Sequence, residues 1–145
     1  MAVVIDLYSR KVVGWTMSNS LKAPLVKDAL SMAYWRRRPD KELIHHSDRG
    51  SQYAGSEYQK LLEQYGMVSS MSRKGDCWDN AVVESFFHSL KTEWISDIIY
   101  RTREEARNDV IKYVEMFYNS HRLHSFLGYK NPNAFESNFT LEKVA

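Results

Sequence analysis

Short β-branched runs alternate with amphipathic stretches along this chain, and the alternation limits the folds that it can adopt. Residues 2–17 contain two such runs on either side of a polar stretch at residues 8–11, which predicts a β-hairpin. Residues 43–47 and 67–71 predict two further short strands. Apolar residues recur at helical spacing between and after these runs. The pattern indicates an α/β domain with a mixed sheet.

The predicted helices are bounded by local signals. Pro24 stands where the first turn of a helix tolerates proline, and Gly66 closes the helix that precedes the strand at 67–71. A longer helix is expected from about residue 80 to residue 95, with Asp79 as its cap. Two pairs of residues have capping-box spacing: Ser56 with Gln59, and Thr102 with Glu105.

The composition is that of one globular domain. The chain has 145 residues, 43% of them hydrophobic, and a formal net charge of only +2, so it is long enough to bury a core. Its single cysteine, Cys77, excludes an internal disulfide and fits a reducing compartment; we read it as incidental. No apolar run approaches the length of a membrane span, so we expect a cytoplasmic protein with no membrane partner.

The three consecutive arginines at residues 36–38 allow two interpretations. Cations are favourable at the carboxyl end of a helix, where the helix dipole is negative. The same run would also suit contact with nucleic acid. The sequence alone leaves both interpretations open.

Two acidic residues stand where a metal site could form. Asp48 follows the predicted strand at 43–47, and Glu84 lies one turn into the helix expected at 80–95. At about 100° per residue, His88 and Lys91 share the helix face of Glu84. A strand-end carboxylate and a helix carboxylate would bracket Mg²⁺, which prefers oxygen ligands. Taken alone, however, two acidic residues are ordinarily solvated surface groups.

The sequence around these residues resembles a known family. Residues 46–53, His-Ser-Asp-Arg-Gly-Ser-Gln-Tyr, resemble the second-aspartate motif of bacterial insertion-sequence transposases related to retroviral integrases. Residues 79–87, Asp-Asn-Ala-Val-Val-Glu-Ser-Phe-Phe, resemble their glutamate motif, with 35 residues between Asp48 and Glu84, as in the DD-35-E signature. The family's C-terminal signature is matched by Tyr118, Asn119, Arg122, His124, Leu127, Gly128, Tyr129, Pro132 and Phe135.

The resemblance implies a ribonuclease-H-like fold and a polynucleotidyl transferase dependent on Mg²⁺, with Mn²⁺ as a substitute. Such an enzyme cuts DNA at the element end with water, and the freed 3′-hydroxyl then attacks target DNA. Asp48 and Glu84 would be catalytic metal ligands. Residues 72–79 would form a mobile active-site loop, and the full-length protein would be a homo-oligomer. The expected DNA contacts are Lys91, Arg73, Lys74 and His88.

The chain also departs from the family pattern. The family's first catalytic aspartate lies on a first strand, whereas residues 2–15 correspond to the second and third strands. We therefore expect an integrase-type core at residues 1–128 that lacks its first strand, a C-terminal tail at 129–145, and no activity as given. Residues 2–17 should pair with each other and not with 43–47. Asp6 should bond the backbone of its own turn instead of a metal ion.

Other interpretations of the sequence stay open at this point. The chain could be a non-catalytic DNA-binding or assembly fragment from a decayed or frameshifted element. It could also be a metal-dependent nuclease that only hydrolyses DNA, although the C-terminal signature argues against this. A zinc site at His45 and His46 is disfavoured, because alternation along a strand points the two rings to opposite faces.

Overall fold

The computed structural model describes residues 1–20, 22–73 and 80–144, and it describes side chains as far as residue 138. These residues form an α/β structure, as predicted, although its sheets are small. The strands are β1 (Ala2–Ile5), β2 (Val12–Thr16), β3 (Ile44–Ser47) and β4 (Val68–Met71). The α-helices are α1 (Ala23–Arg37), α2 (Ser51–Ala54), α3 (Ser56–Gln64), α4 (Ala81–Ser89), α5 (Arg103–Lys112) and α6 (Pro132–Val144). Two π-helical segments, Leu90–Ile95 and Tyr113–Tyr118, continue α4 and α5, and a 3₁₀ turn covers Ser125–Leu127.

The strands form two separate sheets of two strands each. β1 pairs with β2, and β3 pairs with β4 in parallel, with His46 opposite Ser70 in the register. No ladder joins β1 or β2 to β3 among the residues described. The expectation that residues 2–17 pair with each other and not with 43–47 is confirmed. The single mixed sheet that the sequence predicts is thus divided into two pairs.

The core beside the first sheet is built from α1 and α3. Its buried members are Ala2, Leu25, Val26, Ala29, Leu30, Tyr58 and Leu62. Gly14 of β2 lies so close to α1 that a Cβ atom there would collide with the carbonyl oxygen of Ala29. Only glycine permits this contact, and it fixes how closely the hairpin approaches the helix.

The local signals at helix ends were only partly correct. Thr102 caps α5 as predicted, since its Oγ1 accepts the backbone N–H of Glu105 at 3.1 Å. The cap predicted at Ser56 is wrong. Gly55 is the N-cap of α3, and the Gln59 side chain donates to the carbonyl of Tyr53 instead of reaching back to Ser56. Asp79, the expected cap of α4, lies outside the described residues.

The helix that contains Glu84 changes geometry along its length. It buries Phe86 and Leu90, as predicted, but it is α-helical only as far as Ser89. From Leu90 to Ile95 it is a π-helix, in which each N–H bonds a carbonyl five residues back and the turn is wider. The assumption of one regular α-helix through residue 95 is therefore wrong, and a 100° wheel does not describe Lys91.

The chain divides into two compact units. The first comprises Met1–Val4 and Val13–Glu84, and the second comprises Ile5–Val12 and Ser85–Ala145. The predicted boundary at residue 128 stays a prediction, but the segment after it contains a helix, α6, that the sequence interpretation missed. Within the described ranges, no helix is both long enough and apolar enough to cross a membrane.

The exposed apolar side chains of β3 and β4 generate a first prediction. Ile44 is 68% exposed and Val68, its partner in the register, is 48% exposed. Apolar edges of small sheets template pairing with other chains. Changing both residues to Thr should lower aggregation, followed by light scattering, and should alter the unfolding free energy by no more than about 0.5 kcal/mol per site.

The matched control is Val26→Thr, which places a hydroxyl in the core, where Val26 is 3% exposed. It should destabilise the chain by about 1–3 kcal/mol. If the chain with both residues changed to Thr aggregated as much as the original chain, Ile44 and Val68 would not be the cause of aggregation.

Candidate metal and nucleic-acid site

Asp48 lies in the turn that follows β3, with its side chain exposed. Its Oδ1 accepts the backbone N–H of Gly50 at 2.7 Å, which holds the carboxylate against its own turn. Burial, and then the charge of Asp48, raise the pKa of Tyr53. The second carboxylate oxygen, Oδ2, accepts no hydrogen bond from the described part of the chain.

Ser72, which follows β4, is the centre of a hydrogen-bond network beside Asp48. It is only 4% exposed. Its Oγ lies 3.1 Å from His46 Nε2, 2.9 Å from Asn80 Oδ1 and 3.3 Å from the carbonyl oxygen of Ser47. Its backbone N–H donates to Ser47, and its carbonyl accepts Arg49 Nε at 2.8 Å. One residue thus fastens the end of β3 to the beginning of α4.

The network has a direction because a hydroxyl has only one proton to donate. The shortest acceptor contact of Ser72 is Asn80 Oδ1, so the Ser72 hydroxyl donates there. Its oxygen then accepts Nε2–H of His46, and His46 Nδ1 accepts the hydroxyl of Ser70 at 3.0 Å. Donation runs from Ser70 through His46 and Ser72 to Asn80. The sequence interpretation missed Ser72 and Asn80, although Ser70 and Ser72 share the alternation of one strand face.

Glu84 is exposed on α4, four residues after Asn80. Like Asp48, it lies in the first compact unit. The network therefore links the turn of Asp48 to the helix of Glu84 through His46, Ser72 and Asn80. The separation of the two carboxylates stays a prediction.

The expected DNA contacts lie on different elements. Arg73 follows Ser72 and is exposed, whereas Lys74 lies outside the described residues, as does the rest of the expected active-site loop, with Cys77. His88 is exposed near the end of α4, and Lys91 is exposed in the π-helical segment. Arg73, His88 and Lys91 have the exposure that a phosphate contact requires.

His45 has a structural role that differs from that of His46. Its Nε2 accepts the hydroxyl of Tyr58 at 2.9 Å, and burial lowers the pKa of His45 to about 4. Burial also raises the pKa of Tyr58. The two neighbouring histidines therefore bond different side chains, as the alternation along the strand predicts.

Asp6 bonds its own turn. Its Oδ1 accepts the backbone N–H groups of Tyr8 and Ser9 at 2.9 and 3.0 Å. The local role predicted for Asp6 is confirmed.

The chemistry of the donors fits a hard divalent cation. Asp48 and Glu84 are exposed carboxylates, and such groups are the ligands that Mg²⁺ prefers. Among the residues that the structure describes, no three His, Cys, Asp or Glu side chains cluster closely enough to hold a metal ion. Two carboxylates with water or phosphate oxygens in the remaining positions are a usual arrangement for Mg²⁺.

The C-terminal signature holds the hairpin turn within the second compact unit. The Asn119 side chain is buried and bonds both backbone groups of Val12: Oδ1 accepts its N–H, and Nδ2 donates to its carbonyl, each at 2.9 Å. Phe135 packs against Tyr8, with ring centroids 5.2 Å apart, and Arg10 lies 3.9 Å from the ring centroid of Phe126. The contacts of Asn119 and Phe135 give the signature a structural function.

The motifs and the elements that carry them agree with one family. A family model described as integrase core domain matches residues 1–77, and a second model of the same description matches residues 65–132. This chain belongs to the integrase core domain family. The matched regions contain Asp48, the Ser72 network, Glu84 and most of the C-terminal signature.

Insertion-sequence transposases are among the similar proteins. The chain is 49% identical over 136 residues to the transposase for insertion sequence element IS904 of Lactococcus lactis, and 50% identical over 137 residues to transposase InsF for IS3A of Escherichia coli. Each alignment covers 94% of this chain but only 54% and 48% of the relatives, so the chain spans about half their length. The resemblance stated from the motifs is confirmed.

The Ser72 network generates a prediction about stability. Ser72→Ala leaves partly buried polar partners unsatisfied, so it should lower the unfolding free energy by about 1–3 kcal/mol, as measured by urea denaturation. Ser69→Ala, an exposed position on the same strand, is the matched control and should change it by less than about 0.5 kcal/mol. Equal losses in the two variants would show that the network does not stabilise the fold.

The buried His45 generates a prediction about pH. Its pKa is lowered from 6.5 to about 4 in the folded chain, so below pH 6.5 the unfolded chain binds more protons. The contribution of neutral His45 to the unfolding free energy is therefore complete above pH 6.5. It is lost as pH falls toward 4, which lowers the unfolding free energy by up to about 3 kcal/mol. His124, whose pKa is also lowered to about 4, adds to the loss in the same window.

Urea denaturation at several pH values checks this expectation. His45→Gln should flatten the dependence between pH 6.5 and pH 4 but not abolish it, because His124 still titrates. His121→Gln, at an exposed histidine, serves as the control. If the unfolding free energy of His45→Gln fell with pH as steeply as that of the original chain, titration of His45 would not be the cause of the pH dependence.

Proposed function

We propose that this chain is the part of a DNA transposase that holds two of its catalytic carboxylates, Asp48 and Glu84. The complete protein would cleave element-end DNA and join it to target DNA as a polynucleotidyl transferase of ribonuclease-H-like fold. One observation carries the proposal. In a chain about 50% identical to transposases, the turn of Asp48 and the helix of Glu84 are fastened to each other by the Ser72 network.

Asp48 and Glu84 would hold Mg²⁺, or Mn²⁺ in its place. When bound, such ions polarise the phosphodiester and favour the attacking oxygen. The protein's own contribution is to keep the carboxylates oriented. The Gly50 N–H bond fixes Asp48, and Asn80, held by Ser72, fixes the beginning of the helix that contains Glu84.

Lys91, Arg73, Lys74 and His88 would contact DNA. The contacts are of the kind that positions a phosphate backbone without reading sequence. Arg73 follows Ser72 directly, so the backbone bonds of Ser72 also fix where Arg73 leaves the strand. A homo-oligomer of the full-length protein is part of the same proposal.

Mn²⁺ binding tests the assignment of the two carboxylates. Free Mn²⁺ is measured by electron paramagnetic resonance during titration of the 145-residue chain and of Asp48→Asn and Glu84→Gln variants. Each substitution removes a charged oxygen ligand, so each should weaken binding by about tenfold or more. Asp40→Asn, at another exposed carboxylate, should bind as the original chain does.

DNA experiments with the same variants separate this proposal from its rival. All of them should bind duplex DNA, with affinity falling steeply as salt rises, because phosphate contacts need no metal. Since only two carboxylates are assigned here, we expect no strand transfer by the chain as given. DNA binding with Mn²⁺ affinity unaffected by Asp48→Asn and Glu84→Gln would instead support a non-catalytic DNA-binding or assembly fragment.

A further inference from the structure

Arg122 forms hydrogen bonds with the helix that contains Glu84, at residues beyond Glu84. Its Nε and one terminal nitrogen donate to the two carboxylate oxygens of Glu93 at 2.8 and 2.7 Å, which makes the pair bidentate. The same terminal nitrogen donates to Ser89 Oγ at 2.7 Å. Only 18% of the Arg122 side chain is exposed. The Glu93 side chain is 44% exposed. The bidentate geometry therefore makes this contact stronger than a surface ion pair with a single hydrogen bond.

The surroundings of Arg122 keep its guanidinium in place. His124 Nδ1 lies 3.3 Å from the other terminal nitrogen, and the ring of Tyr118 lies 5.8 Å from the guanidinium carbon. Bonding to Glu93 raises the pKa of Arg122, and bonding to Arg122 lowers that of Glu93. Both shifts favour the charged forms of the two groups.

The hydrogen bonds from Arg122 lie at the junction where the helix changes geometry. Ser89 is the last residue of α4, and Glu93 lies inside the π-helical segment. Lys91 lies between them and is exposed. A π-helix is rare and is frequent at functional sites, and Arg122 bonds one residue on each side of the junction. The two contacts thus constrain the backbone from which Lys91 projects.

We propose that Arg122 is a positioning residue that holds the Ser89–Glu93 turn so that Lys91 faces the DNA backbone. The inference rests on the DNA contact proposed above for Lys91. Lysine in place of arginine would keep the charge but lose the bidentate geometry. The signature arginine thereby acts on DNA through another residue.

Two measurements on the 145-residue chain test the proposal. In Arg122→Lys, amide hydrogen exchange across Leu90–Ile95 should rise by about tenfold or more, since weakening hydrogen bonds between charged groups permits local opening of that size. Affinity for a random-sequence DNA duplex, followed by fluorescence anisotropy, should fall by about as much in Arg122→Lys as in Lys91→Ala. The chain with both changes should bind no more weakly than Lys91→Ala alone, because the two residues act on one contact.

Two further variants serve as a control and as a second disruption of the ion pair. Arg107→Lys, at an exposed arginine of α5, should change neither measurement. Glu93→Gln removes the other half of the ion pair and should reproduce both effects, including in the event that Arg122→Lys fails to fold. Unchanged exchange across Leu90–Ile95 in folded Arg122→Lys, or DNA losses that add in the doubly substituted chain, would overturn the proposal.

The outcome for Lys91→Ala separates the two claims. Normal DNA binding by that variant would contradict the DNA contact proposed for Lys91 and, with it, the positioning role. Faster amide hydrogen exchange in Arg122→Lys would then show only that Arg122 stabilises the Ser89–Glu93 turn. Failure of the Mn²⁺ test would contradict the carboxylate assignment and leave both measurements on Arg122 unaffected.

Discussion

The parallel pairing of β3 with β4 determines where the side chains of the candidate site lie. Its register puts His46 opposite Ser70, and Ser72 continues the same face one step beyond the strand. From there Ser72 reaches His46 and Asn80 together. A slip of one residue would turn this face over, separate the imidazole from both hydroxyls and leave the beginning of α4 without its anchor. The positions of Asp48 and Glu84 both depend on that register.

Features set by local chemistry could be predicted from the sequence, and features set by distant contacts could not. The hairpin, the Thr102 cap and the turn made by Asp6 depend on residues a few positions apart, and all three were found. Ser72 was missed because its partners lie 8 to 26 residues away and are selected by the strand register. Ser56 was wrongly taken as a cap because α2 ends immediately before Gly55, which occupies the cap position.

The π-helical segments show a second limit of sequence periodicity. Large aromatic side chains connect them, with Trp94 packing at ring-centroid distances of 5.4 Å from Tyr113 and 5.0 Å from Phe117. Tyr113 also packs on Phe86, the buried residue of α4. A regular α-helical wheel identifies the buried face correctly, yet it cannot indicate where the backbone widens, because that is decided by which rings meet in the folded chain.

The side chain of Asn119 has a consequence for the outer edge of the hairpin. A carboxamide contains the same donor and acceptor as a peptide group, so Asn119 gives Val12 the two bonds that one residue of an adjoining strand would give. The position is filled by a side chain that comes from a helix end and cannot extend into a ladder. At this point the protein terminates its own sheet, and a foreign strand that approached Val12 would find both backbone groups already occupied.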